Sequence, residues 1–371
     1  MELRIDRDDL YKAVSRVQSI IEKRSNMPIL SAVLLSAEGS GIVLSATDLE
    51  ISFQQKLPAE VLDPGSLAIS GRKLFEIVKE SKGSTIYIKE KENHWAFISD
   101  DRAKFNMACL SPDEYPMFVE PEDVSFVDID GSVLREMISK TIYAVTMEDA
   151  GFKLSGIYTE KVVQGGKSFL RLVATDGHRL SMIDKEVANI EDLTLDGGVM
   201  IPKKGMNEIA KLASDDEGVQ IGFRQNNCVA RKGDSLIVVR LLESKFPDYN
   251  AVIPKKAGHT IRIALDDLLD GMRKMTILSD ESYRGVKIKL GEDTMELVSI
   301  NPDIGDVQES LAVDYKGEKL EMGFNARYFI DILQAMESEE VTLGFMDGSS
   351  PCLVTGEGDV GFLGLIMPMR L

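Results

Sequence analysis

The chain has 371 residues, 44% of them hydrophobic and 28% charged, and a formal net charge of −18. That length allows two or three domains with separate cores, and no apolar run approaches the ~20 residues of a membrane helix, so no membrane partner is expected. The charge argues against coating nucleic acid by bulk attraction. Three scattered cysteines and three scattered histidines exclude a disulfide framework, a CxxC pair and a metal site.

The chain opens on "MELRIDRDDL", charged from its second residue and so unlike a secretory signal. Together with the single cysteines this points to a reducing cytoplasm. "RIDRDDL" (4–10) joins a short apolar strand to an Asp pair suited to a helix start. The spacing predicts a helix over 8–24, with Leu10, Ala13, Val14, Val17 and Ile21 on one face. Alternating strands follow in "AVLLSAEGSGIVLSATDLEISF", then a helix over 72–82, more strands, and the turn "CLSPDEYP". A second copy begins at "FVDIDGSVLREMISKTIYAV", whose helix over 132–146 carries Leu134, Met137, Ile138 and Ile142. Strands in "LSGIYTEKVVQGGKSFLRLVATDGHRLSMI", a helix over 203–213 and the turn "SKFPDYN" complete it. The third copy starts at "RIALDDL" (262–268), with Leu268, Leu269, Met272 and Met275 on a helix over 265–275. It continues through "VKIKLGEDTMELVSINPD" and a helix over 325–336.

Self-similarity of this kind means one unit used three times. Boundaries near "VEPEDV" and "IPKKAGH" give domains 1–122, 123–256 and 257–371. Each is expected to be α+β, with antiparallel sheets on one side and two helices on the other. The apolar ending "GLIMPMRL" takes the place of "KFNMACLSP" and "LIVVRLLES" in the earlier copies. It therefore reads as the closing strand of the third unit, with the final Met-Arg-Leu protruding past the sheet.

The six predicted helices together carry +5, against −23 for the rest of the chain. Arg16, Lys23, Arg24, Arg72, Lys73, Lys79, Lys82, Lys203, Lys204 and Lys211 are the main contributors. These are either ordinary solvated faces or a weak phosphate-facing track, attractive without reading bases. "ATDGHRLSM" (174–182) contains Asp176, His178 and Ser181, the residue types of a hydrolytic triad, but at too short a spacing and without an oxyanion loop. A turn at Asp176-Gly177 is the expected reading. No GxxxxGK[ST] or GxGxxG is present, so no nucleotide cofactor is expected. The chain reads as a scaffold and not an enzyme.

"ATDGHRL", "FPDY" (246–249) and the terminal "MPMRL", with "MPIL" (27–30), "TDLE" (47–50) and the threefold repeat, closely resemble the bacterial DNA polymerase III β subunit family of sliding clamps. The resemblance implies the DNA-clamp fold in each unit and a head-to-tail homodimer closed into a ring around double-stranded DNA, without sequence preference. It implies a processivity factor with no chemistry of its own. Its partners would be the polymerase III catalytic subunit, the clamp loader complex, other polymerases and mismatch-repair proteins with clamp-binding motifs. By the same resemblance a peptide-binding pocket involves Leu154, Thr175, Gly177, His178, Arg179, Leu180, Pro247 and Val252. The third domain would add Asn325, Tyr328, Ile366, Met367, Pro368, Met369, Arg370 and Leu371. Ala251 stands where some relatives carry a basic residue. DNA contacts would include Arg24 and Lys203, with Phe152 and Lys153 on a loop with Glu148. The dimer interface would join Lys73, Arg102, Lys104 and Phe105 to Ile277 and Leu278, although Phe105 and Ile277 also read as core residues. A hydrolase using His178, or a peptide-docking adaptor that never encircles DNA, remain the competing functions.

Overall fold

The computed structural model describes residues 1–21, 26–146, 155–195, 197–214, 217–254, 258–279 and 284–370. The first repeat forms β1 (Glu2–Asp6), α1 (Arg7–Arg16), β2 (Ala32–Glu38), β3 (Gly41–Thr47), β4 (Ile51–Pro58) and β5 (Glu60–Asp63). It continues with β6 (Gly65–Ser70), α2 (Gly71–Glu80), β7 (Thr85–Lys91), β8 (Trp95–Ser99) and β9 (Lys104–Ala108). The second runs through β10 (Phe126–Ile129), α3 (Gly131–Ile142), β11 (Gly156–Gln164), β12 (Lys167–Thr175) and β13 (Arg179–Lys185). It ends with β14 (Val199–Pro202), α4 (Lys203–Leu212), β15 (Val219–Arg224), β16 (Asn227–Lys232) and β17 (Ser235–Arg240). The third comprises β18 (His259–Ala264), α5 (Leu265–Met275), β19 (Gly285–Gly291), β20 (Thr294–Asn301) and β21 (Gly305–Ala312). Then follow β22 (Leu320–Asn325), α6 (Ala326–Ala335), β23 (Glu340–Phe345), β24 (Cys352–Gly356) and β25 (Phe362–Ile366).

The chain divides into two compact units. The first comprises Met1–Ile129, Asp192–Thr194 and Lys211–Leu241. It holds a five-stranded sheet, β5-β1-β7-β8-β9, and an eight-stranded sheet, β10-β15-β16-β17-β4-β3-β2-β6. The second unit holds an eight-stranded sheet, β14-β11-β12-β13-β25-β24-β23-β18, and a four-stranded one, β21-β20-β19-β22. Both large sheets draw on two repeats. In each, the closing strand of one repeat pairs antiparallel with a strand of the repeat before it. Val239 of β17 lies opposite Ile51 of β4, and Ile366 of β25 opposite Arg179 of β13. Helices cover the apolar faces: Tyr11 of α1 stacks on Phe75 of α2 at 5.6 Å, and Phe329 of α6 meets Phe324 edge-on at 5.6 Å.

The strand-to-helix joint shows why the repeats look alike in sequence. Asp6 caps α1 by accepting from the backbone N–H groups of Asp8 (2.9 Å) and Asp9 (3.1 Å). Asp130 caps α3 through Ser132 and Val133. The third copy places Ala264 there, with φ −57° and ψ 132° against −58° and 133° at Asp6, but no side chain to bond. The first helix is shorter than its spacing predicts, passing at Val17–Ser19 into a 3₁₀ turn.

The apolar ending behaves as a closing strand, with Phe362, Leu365 and Ile366 buried in β25. The tail beyond it does not simply protrude. Met367 donates its N–H to the carbonyl of His178 and Met369 donates to that of Gly323, both at 2.8 Å. These bonds pin the tail while leaving Met369 and Arg370 exposed.

A buried ion network anchors this part of the second unit. Lys140 on α3 is 1% exposed, its ammonium 2.6 Å from both Glu136 and Asp359. Lys185 adds a bridge to Glu136 at 2.8 Å. Asp359 also accepts from the N–H groups of Glu337 and Ser338 and from the Ser338 hydroxyl. Burial alone would discharge both groups, but the mutual hydrogen bonds win, raising the Lys140 pKa and lowering that of Asp359.

Two stability predictions follow from these contacts. Ala264→Asp should supply the missing cap and raise stability by about 1 kcal/mol in denaturant titration; no gain would show that the acidic first turn of α5 repels it. Lys140→Met strands a buried carboxylate and should cost roughly 3–5 kcal/mol, partly recovered by adding Asp359→Asn. The Asp359 contribution is complete above about pH 3.9 and disappears as pH falls through its lowered folded pKa. That of Lys140 is complete below about pH 10.4 and disappears as pH rises through its raised one. Melting temperature followed against pH reads both limits.

Candidate functional site

The second unit brings much of the expected pocket together around the turn between β12 and β13. Thr175 donates its hydroxyl to the carbonyl of Arg179 (2.6 Å) and accepts the N–H of Gly177 (3.1 Å). Asp176 accepts from the N–H groups of His178 and Arg179, both at 3.0 Å. Gly177 stands at φ +86°, where a side chain is disfavoured. The turn thus presents His178 to solvent and carries Arg179 into the unit.

Arg179 is the hub. Its guanidinium binds Asp176 at 3.0 Å, Asp331 of α6 at 2.5 Å and the carbonyl of Tyr143 at 2.7 Å. It also lies over the rings of Tyr328, at 4.6 Å, and Tyr143, at 5.4 Å. Asn325 caps α6 by accepting from the N–H of Arg327. Burial, then the nearby Asp176 carboxylate, raises the Tyr328 pKa. Lys203, expected among the DNA contacts, is half-buried at the start of α4. Burial and the positive charge of Arg179 lower its pKa.

Beneath the turn, Leu180 and Leu365 pack with Phe246, Tyr249 and Met200, and Met367 lies against this cluster. Phe246 stacks on Tyr158 at 4.7 Å. Arg171, held by both oxygens of Asp184, donates to the Tyr249 hydroxyl at 2.9 Å. Burial and a hydrogen bond to Glu160 push that hydroxyl up to about 12. Ile366 is fully buried, so it backs the surface, whereas Pro247, Ala251, Val252 and Met369 are exposed. An apolar floor with an open rim and a few fixed polar groups suits a peptide carrying apolar anchors. Leu154 and Leu371 lie outside the described residues, as do Arg24, Glu148, Phe152 and Lys153.

Catalysis has no geometry here. Asp176 is spent on the turn, while Ser181 is fully buried and bonded to the Tyr143 hydroxyl and the Lys140 carbonyl. Among the described residues no cluster of His, Cys, Asp or Glu could hold a metal ion. The turn and tail were visible in sequence. Phe246 and Tyr249 sit inside "FPDY", but Tyr143 and Asp331 were missed, since nothing local marks a partner 152 residues away.

The expected interface residues fall in both units. In the first, β9 is a sheet edge, and a groove of about 580 Å³ runs beside it between Lys73, Ile77, Lys104, Phe105 and Met107. Phe105 is half-buried and Lys73, Arg102 and Lys104 are exposed. In the second, Ile277 is 74% exposed, which rules out the core reading for it. Leu278 is half-buried, its carbonyl accepting from Asn301.

Arg179→Ala should leave Asp331 without its charged partner and cost about 1.5–3 kcal/mol, as expected for hydrogen bonds to charged groups. Hydrogen exchange should show faster exchange at the Met367 and Met369 amides; unchanged rates would mean that Arg179 does not hold the tail.

Three family models cover the chain in turn. The DNA polymerase III beta subunit N-terminal domain matches residues 1–119, the central domain 128–248 and the C-terminal domain 250–370. The chain is 31% identical to the beta sliding clamp of Pseudomonas putida and 32% identical to that of Caulobacter vibrioides, covering 100% of each chain in both comparisons. A crystal structure of the DNA polymerase sliding clamp from Caulobacter crescentus superposes with a TM-score of 0.94 at 30% identity, over 100% of both chains. That from Bacillus subtilis gives 0.93 at 27% identity, over 100% of this chain and 99% of the other. The chain belongs to the DNA polymerase III beta subunit family.

Proposed function

We propose that two copies of this chain close head to tail into a ring around duplex DNA, with peptide partners docking at the turn and tail of the second unit. The chain is a DNA sliding clamp with a processivity role and no chemistry of its own. The ring, its partners and the residues serving each site are our reading, as are domain limits at 1–122, 123–256 and 257–371.

One observation carries it. Two of the three closing strands are paired within the chain, β17 on β4 and β25 on β13. The third, β9, lies at a sheet edge, and so does β21, the third-repeat counterpart of β4 and β13. Each edge leaves a row of backbone groups open to another strand. A contact between β9 of one copy and β21 of the next is heterologous, and with the right rotation it closes into a ring. The charges suit it. Arg102 and Lys104 stand by β9 and Asp306 lies on β21, while Lys73 and Glu309 are paired within the chain with Glu76 and Lys274. Phe105, Ile277 and Leu278 supply the apolar centre.

DNA inside such a ring needs only weak attraction. Arg24, Lys203, Phe152 and Lys153 are the contacts we assign, and retention would be topological. At the docking surface, the flexible thioethers of Met367 and Met369 would repack around different partners: the polymerase III catalytic subunit, the clamp loader, other polymerases and mismatch-repair proteins. Cytoplasmic residence follows from that work; no described helix is long and apolar enough to cross a membrane.

Loading onto nicked circular DNA by the clamp loader, followed by cutting the circle, tests the ring. Protein should leave the DNA only after linearisation, and Phe105→Asp should be monomeric in sedimentation and never retained. Retention on linear DNA would overturn topological retention, and a dimeric Phe105→Asp would remove Phe105 from the interface. Removing Met367–Leu371 should abolish polymerase-peptide binding with the dimer intact, and His178→Ala should weaken it without removing any turnover.

A further inference from the structure

The first unit contains the same turn a second time. Thr47 donates its hydroxyl to the carbonyl of Ile51 at 3.0 Å and accepts the N–H of Leu49 at 3.0 Å. Asp48 accepts from the N–H groups of Glu50 (3.0 Å) and Ile51 (2.6 Å). Leu49 occupies φ +76°, the position of Gly177 at +86°. Arg240, one residue past the last that β17 pairs with β4, donates its N–H to Glu50 at 2.9 Å, as Met367 does to His178 at 2.8 Å. Bond for bond, this is the framework described around Thr175.

A cavity of about 130 Å³ opens beside this copy, lined by Ser45, Ala46, Thr47, Leu49, Tyr115 and Met117 among others. It is smaller than the roughly 300 Å³ at which small-molecule sites begin and suits one inserted side chain. Met117 is 87% exposed and Leu49 52% exposed, apolar side chains left standing in water beside it. The surrounding charge is one-sided. Segments 47–51 and 111–120 hold five carboxylates and no Lys, Arg or His. The matching segments of the second unit, 175–179 and 245–254, balance Asp176 and Asp248 with Arg179 and Lys245. Arg240, whose backbone meets Glu50, is the exposed basic residue nearest to these segments in the hydrogen-bond framework.

We propose that the first unit carries a second peptide-docking pocket, at Thr47–Ile51 and Tyr115–Phe118, which takes a basic peptide through one aliphatic side chain. It rests on reading the Thr175 turn as a peptide site. Shared backbone sets the mode of binding, and the surroundings, acidic at the first pocket and balanced at the second, set the partner, so only the first selects for positive charge.

The test uses the full-length protein with methionine methyls labelled with carbon-13, Met117 and Met369 being assigned through Met117→Leu and Met369→Leu. The probe is a synthetic peptide with one leucine flanked by three lysines on each side, compared with its glutamate counterpart. The lysine peptide should shift the Met117 methyl saturably and leave Met369 unmoved. Leu49→Ala with Met117→Ala should weaken its binding at least five-fold in fluorescence polarisation. Glu50→Lys with Asp113→Lys should remove the preference over the glutamate peptide. Binding should persist when Met367–Leu371 are deleted, and a polymerase peptide that still binds that deletion counts only against the second-unit site. The proposal is overturned if the lysine peptide leaves Met117 unmoved at millimolar concentration, if tail deletion removes its binding, or if the glutamate peptide binds as well.

Discussion

The antiparallel pairing of β25 with β13 is the constraint on which the second unit depends. A central strand must satisfy both rows of its backbone groups and bury both faces, which explains why the chain ends on an apolar run. The register that sets Ile366 opposite Arg179 also carries Met367 to the carbonyl of His178. From that point the tail can reach Gly323, and the turn, the tail and α6 become one surface. The same pairing made by β17 and β4 builds the corresponding framework in the first unit.

Electrostatics then separates what must be rigid from what must stay adaptable. Arg179 and Lys140 are held by carboxylates on two sides, so each joins elements distant in the chain at a fixed geometry. A lone buried charge would be costly, and these are bonded from several directions. Pro247, Val252 and Met369 are by contrast exposed, and impose little directionality. Such a division suits the peptide-docking surface proposed for the second unit. It also resolves the contradiction of an acidic chain that works on DNA. Encirclement needs no deep electrostatic well, and a strong one would oppose sliding.

Legibility in the sequence follows the range of the interaction. "RIDRDDL" and "RIALDDL" were readable as strand followed by helix because caps and apolar spacing act within a few residues. The same comparison conceals a difference, since Asp6 bonds to its helix and Ala264 cannot. The turn at Asp176-Gly177 was equally readable, but nothing in "TDLE" indicated that residues 47–51 would form the same hydrogen bonds. That depends on Leu49 accepting a positive φ that glycine takes freely. The tail was misread in part, because nothing local indicates that the Met369 N–H would find Gly323.

Length, repeat, cap residues and apolar periodicity determined three copies of an α+β unit and the places where each chain segment turns. Those features are set by contacts between residues near one another in sequence. Only the tertiary structure decided which strand closes which sheet, that β9 and β21 are left as edges, and that Arg179 chooses Asp331. Such choices depend on burial and register between segments more than a hundred residues apart, and local residue preferences carry no record of them.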